Sequence, residues 1–154
     1  MATKLKFTVD YEALRQALQK APNVLKGDIH KLLERSAIMT QGKMKENVNT
    51  GVSGELKKSI RYRFTDPLTV IVEPTAKHAL PHETGSRPHW VGVKKLKSWA
   101  DVKGINVYAL QKHIAKKGTK AHPFVKPTLK YVDGRIYPDF NKGMNKSIKN
   151  ILGE

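Results

Sequence analysis

A chain of 154 residues without cysteine excludes disulfides and thiolate metal sites, and at that length one modest core can form without staples. The 29 Lys and Arg against 13 Asp and Glu leave a formal net charge of +16, which attracts polyanions: nucleic acid, acidic protein surfaces or anionic membrane. No stretch is apolar for long enough to span a membrane, and the N-terminal residues hold no apolar run of signal-peptide length. The expected setting is a cytoplasm or the inside of a particle, with no membrane partner.

Residues 4–9 alternate polar and apolar, as a short half-buried strand does. Asp10 is placed to cap a helix in which Leu14, Ala17 and Leu18 repeat to about Lys20. Pro22 suits the first turn of the next helix, which the spacing of Leu25, Ile29, Leu32, Leu33, Ser36, Met39 or Thr40, and Met44 carries to about Asn47. Turn chemistry over 49–54 ends it, with Ser53 available to cap a short turn starting at Gly54 or Glu55. Ile60, Tyr62 and Phe64 alternate with Arg61, Arg63 and Thr65, giving a strand with an apolar and a basic face. Asp66-Pro67 turns the chain, and Leu68, Val70 and Val72 return as a second strand with Ile71 on the other face.

Residues 74–92, rich in Pro, His and Gly, are expected to be irregular. Lys94–Val102 and Asn106–Lys117 follow as two short helices, the second ended by Gly118 in a left-handed cap. Pro123–Val132 and Pro138–Leu152 are expected as two further helices, the last marked by Phe140, Met144 and Ile148.

Residues that could carry chemistry are few. His78 and His82 share a helical spacing beside Glu83, but Pro81 between them argues against a regular helix. There is no H-E-x-x-H, no G-x-S-x-G and no phosphate-cradling loop. Acids in the middle of the chain are few: Glu73, Glu83 and Asp101. The expectation is a protein that is not an enzyme, with no catalytic residue, metal site or cofactor. Two rivals stand beside it. One is a free, sequence-independent nucleic-acid-binding protein, on charge alone. The other is a small metal-free ribonuclease that depends on His82 or His89.

Three landmarks come in a set order. Gly54, Leu56, Ser59 and Ile60 lie in Ser53-Gly54-Glu55-Leu56-Lys57-Lys58-Ser59-Ile60, after the long helix. Glu83, Thr84 and Gly85 follow the hairpin. Pro123, Phe124 and Pro127 lie in Ala121-His122-Pro123-Phe124-Val125-Lys126-Pro127-Thr128-Leu129. Together they resemble the tail-completion, or head–tail joining, proteins of long-tailed double-stranded-DNA bacteriophages, over roughly residues 10–152. Here threonine precedes the glycine of the second landmark, Thr128 replaces the usual alanine of the third, and residues 86–120 exceed the family's minimal connection.

The resemblance implies a structural virion protein of the neck that completes the tail and joins it to the head, present in the host cytoplasm during assembly. Its partners would be other neck and tail proteins, and its copies would close into a six-fold ring around the DNA passage while remaining monomeric in solution. The expected fold is α+β: a long helix on a small antiparallel sheet, with further helices in the middle segment and at the C-terminus. It would form one domain over 1–154, with 86–120 as a helical insertion. Lys57, Lys58, Arg61, Arg63, Lys94, Lys95 and Lys97 are the candidate contacts to DNA, without sequence preference, or to an acidic partner.

Overall fold

The computed structural model describes residues 5–8, 23–48 and 54–152. The helix expected after Asp10, Pro22 and the Ser53 cap lie outside the described residues.

The fold is α+β, with one long helix laid across a three-stranded antiparallel sheet. Strand β1 (Leu5–Thr8) precedes helix α1 (Asn23–Asn47). A short helix α2 (Glu55–Ser59) leads directly into β2 (Ile60–Asp66), and β3 (Thr69–Pro74) completes the hairpin. The spatial order is β1-β3-β2, so the last strand is central. Its register pairs Phe7 and Phe64 with Val70, and Leu5 and Tyr62 with Val72. Being central and covered, β3 is buried nearly throughout: Val70, Val72 and Ile71 all lie inside. Ile71 does occupy the opposite face from Val70 and Val72, in register with Arg63.

Helix α1 covers the face that carries Val70 and Val72. Its buried stripe is Leu25, Ile29, Leu33, Ala37, Thr40 and Met44, and each large apolar member contributes roughly 1.5–3 kcal/mol by burial. The two hydroxyls on this stripe are satisfied within the helix: Ser36 donates to the Leu32 carbonyl at 2.9 Å and Thr40 to the Ser36 carbonyl at 2.7 Å. Polar ties fix the helix on β2. His30 stacks on Phe64 at 4.2 Å, the Tyr62 hydroxyl donates to Glu34 at 3.3 Å, and the Gln41 amide donates to the Ile60 carbonyl at 2.9 Å.

Residues 74–92 are not wholly irregular. Helix α3 (Ala79–Thr84) forms there, with Pro81 in its first turn. A proline at that position removes an N–H that has no intrahelical partner anyway. Helices α4 (Val93–Lys103) and α5 (Val107–Lys117) follow as expected and pack chiefly on each other. Gly118 has a positive φ of 75° but an extended ψ of −157°, so it turns the chain without the left-handed cap expected of it.

The last two helices are one continuous rod. Helix α6 (Val125–Tyr131) passes through a π-helical turn (Val132–Ile136) into α7 (Tyr137–Leu152). The expected break at Pro138 is absent for a physical reason. Proline cannot donate back one turn and its ring clashes with the carbonyl there. The wider turn, in which the Tyr137 N–H reaches the Val132 carbonyl, shifts the ladder and lets the helix run on. Phe140 and Met144 of α7 join the core against α1.

Candidate functional site

The basic candidates fall into two groups. Lys57 and Lys58 project from α2, and Arg61 and Arg63 from the strand that continues it; all four are exposed. The alternation of β2 puts the two arginines on the face turned away from α1, while half-buried Tyr62 and Phe64 point toward it. Arg63 is tied to this outer face by an ion pair with Glu73, Nε to Oε1 at 3.0 Å. Exposed pairs of this kind are worth about 0–1 kcal/mol, so the pair orients the guanidinium more than it stabilises the sheet. Lys94, Lys95 and Lys97 form the second group, exposed on the first turns of α4. The structure does not merge the groups into one cluster, because α4 packs on α5 and not on the sheet.

Three landmark residues, Leu56, Ile60 and Phe124, share the core. Leu56 is buried and Ile60 fully so. Ser59 closes the junction between them: its hydroxyl donates to the Leu56 carbonyl at 2.8 Å, and its carbonyl accepts from the Thr75 N–H at 3.1 Å. Gly54 stands before α2 with left-handed angles. Phe124 is the largest fully buried side chain among the described residues. Pro123 and Pro127 are exposed on either side of it, Pro127 in the first turn of α6.

A link between the second and third landmarks was not legible in the sequence. Phe124 occupies the N-cap position of α6 and has no side-chain acceptor to offer. Glu83 supplies one from α3. Its Oε2 accepts the backbone N–H groups of Phe124 at 2.7 Å and Val125 at 2.9 Å, and Oε1 accepts that of Lys126 at 3.2 Å. An anionic acceptor at a helix N-terminus satisfies orphan donors and opposes the helix dipole. The one available signal was a helix start with no Ser, Thr, Asp or Asn at its cap.

Two crossing segments brace this contact. Ser86 and Thr119 exchange backbone hydrogen bonds at 3.1 and 3.2 Å. Gly85 and Gly118 flank the bridge with φ of 76° and 75°, and a Cβ on either would collide with the opposite backbone. Thr84 is exposed, its hydroxyl against the Leu80 and Gly85 carbonyls at 3.0 and 3.1 Å.

The histidines do not assemble into a reactive centre. His82 lies edge-on to Phe124 at 5.6 Å and near His122 at 5.7 Å, with its Nδ1 enclosed and unpartnered. Burial lowers its pKa from the ordinary 6.5, and the neighbouring His122 and His78 push the same way. A backbone group of His122 and the Glu83 carboxylate oppose the shift without cancelling it. His89 is exposed, its Nδ1 2.8 Å from the Arg87 carbonyl. Among the described residues no three His, Cys, Asp or Glu side chains converge as a metal-ligand group. Nor, among them, is any helix long and apolar enough to cross a membrane.

No curated protein and no solved structure matches the chain. A family model does match, that of "Bacteriophage HK97-gp10, putative tail-component", over residues 12–85. The matched segment contains α1, the hairpin and the first two landmarks; the third landmark and the α6–α7 rod lie beyond it. Residues 12–85 therefore carry the pattern of a phage tail-component family, in agreement with the resemblance seen in the ordered landmarks.

Proposed function

We propose that this chain is a structural, non-enzymatic virion protein that completes the phage tail and joins it to the head. The observation that carries the reading is the match of residues 12–85 to a phage tail-component family. Residues 1–154 act as one tail-completion domain in which 86–120 is a helical insertion. Copies made in the host cytoplasm stay monomeric until they meet the growing tail, then close into a ring around the DNA passage. A closed ring repeats one heterologous interface by rotation, and six-fold symmetry is the form this reading takes.

Two observations support an assembly role over chemistry. The three landmarks build packing and capping contacts, with Leu56, Ile60 and Phe124 all buried. The exposed side chains of Lys57, Lys58, Arg61 and Arg63, and of Lys94, Lys95 and Lys97, form two separate positive patches. Such patches bind phosphate without regard to sequence, or steer an acidic neighbour into register.

Electron microscopy of particles produced without this protein tests the reading. Filled heads and free tails that fail to join are the expected result. Normal infectious virions would overturn it, and salt-sensitive nucleic-acid binding by the isolated chain with no effect on assembly would favour a free nucleic-acid-binding protein.

A further inference from the structure

Four of the nine large exposed apolar side chains among the described residues, Trp99, Val102, Ile105 and Tyr108, lie at the turn between α4 and α5 and on the helix ends that flank it. Trp99 and Val102 lie three residues apart on α4, Ile105 occupies the turn, and Tyr108 stands in the first turn of α5. Val102 is 66 %, Ile105 43 % and Tyr108 62 % exposed. Trp90, 71 % exposed, lies apart from them at the other end of α4, where His89 is tied to Ile114. Scattered exposed apolar residues need no explanation, but several around one three-residue turn do.

The region is built to hold its shape. The Asn106 side chain caps α5, accepting from the Tyr108 N–H at 2.9 Å and the Ala109 N–H at 3.2 Å. The Ile105 N–H donates to the Ala100 carbonyl at 2.9 Å. Gln111, buried, donates to the Val91 carbonyl at 2.7 Å, and the His89 N–H reaches the Ile114 carbonyl. Ala100 and Ile114 are buried between the segments. The apolar tip is thus held out by capped helices, and the ordering entropy of presenting it is already spent.

Charge identifies what would cover it. From Arg87 to Lys120 the chain carries nine basic residues and a single acid, Asp101. A second copy would bring the same positive field. Duplex DNA would satisfy the lysines and leave the tip in water. The net positive field of the segment steers an acidic partner toward it, and Trp and Tyr are the usual anchors of a protein interface. We propose that the α4–α5 hairpin is a docking surface for an acidic protein surface with an apolar centre, on another component of the tail. This rests on the reading of the chain as a tail-joining protein.

The test is co-sedimentation of the purified chain with purified tails assembled without it. The wild type is compared with Val102→Ser/Tyr108→Ser, whose fold is checked by circular dichroism and Tm. The same two proteins are titrated with dT20, with a 20-base-pair duplex and with phosphatidylglycerol vesicles. The expected result is about tenfold weaker association of the variant with tails, with its binding to all three other probes unchanged. Equal association of variant and wild type with tails would overturn the docking surface while leaving the joining function standing. So would a variant that keeps its tail association but loses dT20 or vesicle binding. Failure of the wild type itself to associate with tails would overturn both.

Discussion

Glu83 caps the helix that begins beside Phe124, although the two residues are 41 positions apart in the chain. The carboxylate accepts the Phe124 N–H at 2.7 Å and takes two further N–H groups of the same helix start. Phe124 is the fully buried plug beneath. The acid of the second landmark and the aromatic of the third are thus two halves of one device: the first closes the polar helix end, the second fills the core under it.

Removing the carboxylate leaves three N–H groups at the head of the α6–α7 rod without their acceptor. Glu83→Ala is expected to cost about 2 kcal/mol, and Glu83→Gln, which keeps one acceptor oxygen but no charge, about 1 kcal/mol. Urea unfolding followed by circular dichroism measures both. Equal stability of the wild type and the alanine variant would show that water replaces the cap at no cost.

Truncating the plug is the larger injury. Phe124→Ala is expected to lower stability by about 4 kcal/mol, from lost burial and the cavity left behind. Leu129→Ala lies on the same helix but removes a side chain that is 41 % exposed, and its expected cost is under about 1 kcal/mol. The difference between the two unfolding midpoints is the quantity to compare.

Two glycine substitutions should act in opposite directions. Gly118→Ala places a Cβ against the Ser86 carbonyl at a position with φ of 75°, and should cost more than about 2 kcal/mol by breaking the Ser86–Thr119 bridge. Gly42 lies within α1 with open space around it, so Gly42→Ala should gain about 0.5–1 kcal/mol from helix propensity. Thermal unfolding of the pair gives the signs directly.

Stability should also fall on acidification through His82. Burial holds its pKa below the ordinary value, so the unfolded chain takes up the proton first. The contribution is full above the unfolded value of about 6.5. It declines as pH drops from there toward the depressed folded value, and levels off below it. Between pH 7.5 and 5, the fall in Tm should be smaller for His82→Gln than for the wild type. Parallel curves would show that His82 does not set the pH dependence.

Much of the fold was legible because its signals are local. The alternation of Ile60, Tyr62 and Phe64 with Arg61 and Arg63 marked a strand with a basic outer face, and β2 has one. The spacing from Leu25 to Met44 marked the long helix, and those two residues are buried in it. Two departures involve prolines. Pro81 argues against a regular helix, but a first-turn proline loses no bond; Pro138 marks the start of a separate last helix, but a π-helical turn joins that helix to the one before it.

What the sequence by itself determined is the long helix, the hairpin and the two middle helices, the excess of positive charge and the three landmarks, because periodicity, composition and turn chemistry act over a few residues. What only the tertiary structure decided is which of those parts touch. Glu83 finds its partners on Phe124, Val125 and Lys126, Ser86 meets Thr119, and Val102 and Tyr108 are left in solvent while Phe124 is enclosed. All eight are ordinary choices at their positions in the chain. A backbone N–H accepts any suitably placed oxygen, and an apolar side chain is driven from water by whatever surface lies near it, so neither contact leaves a local pattern that names its partner.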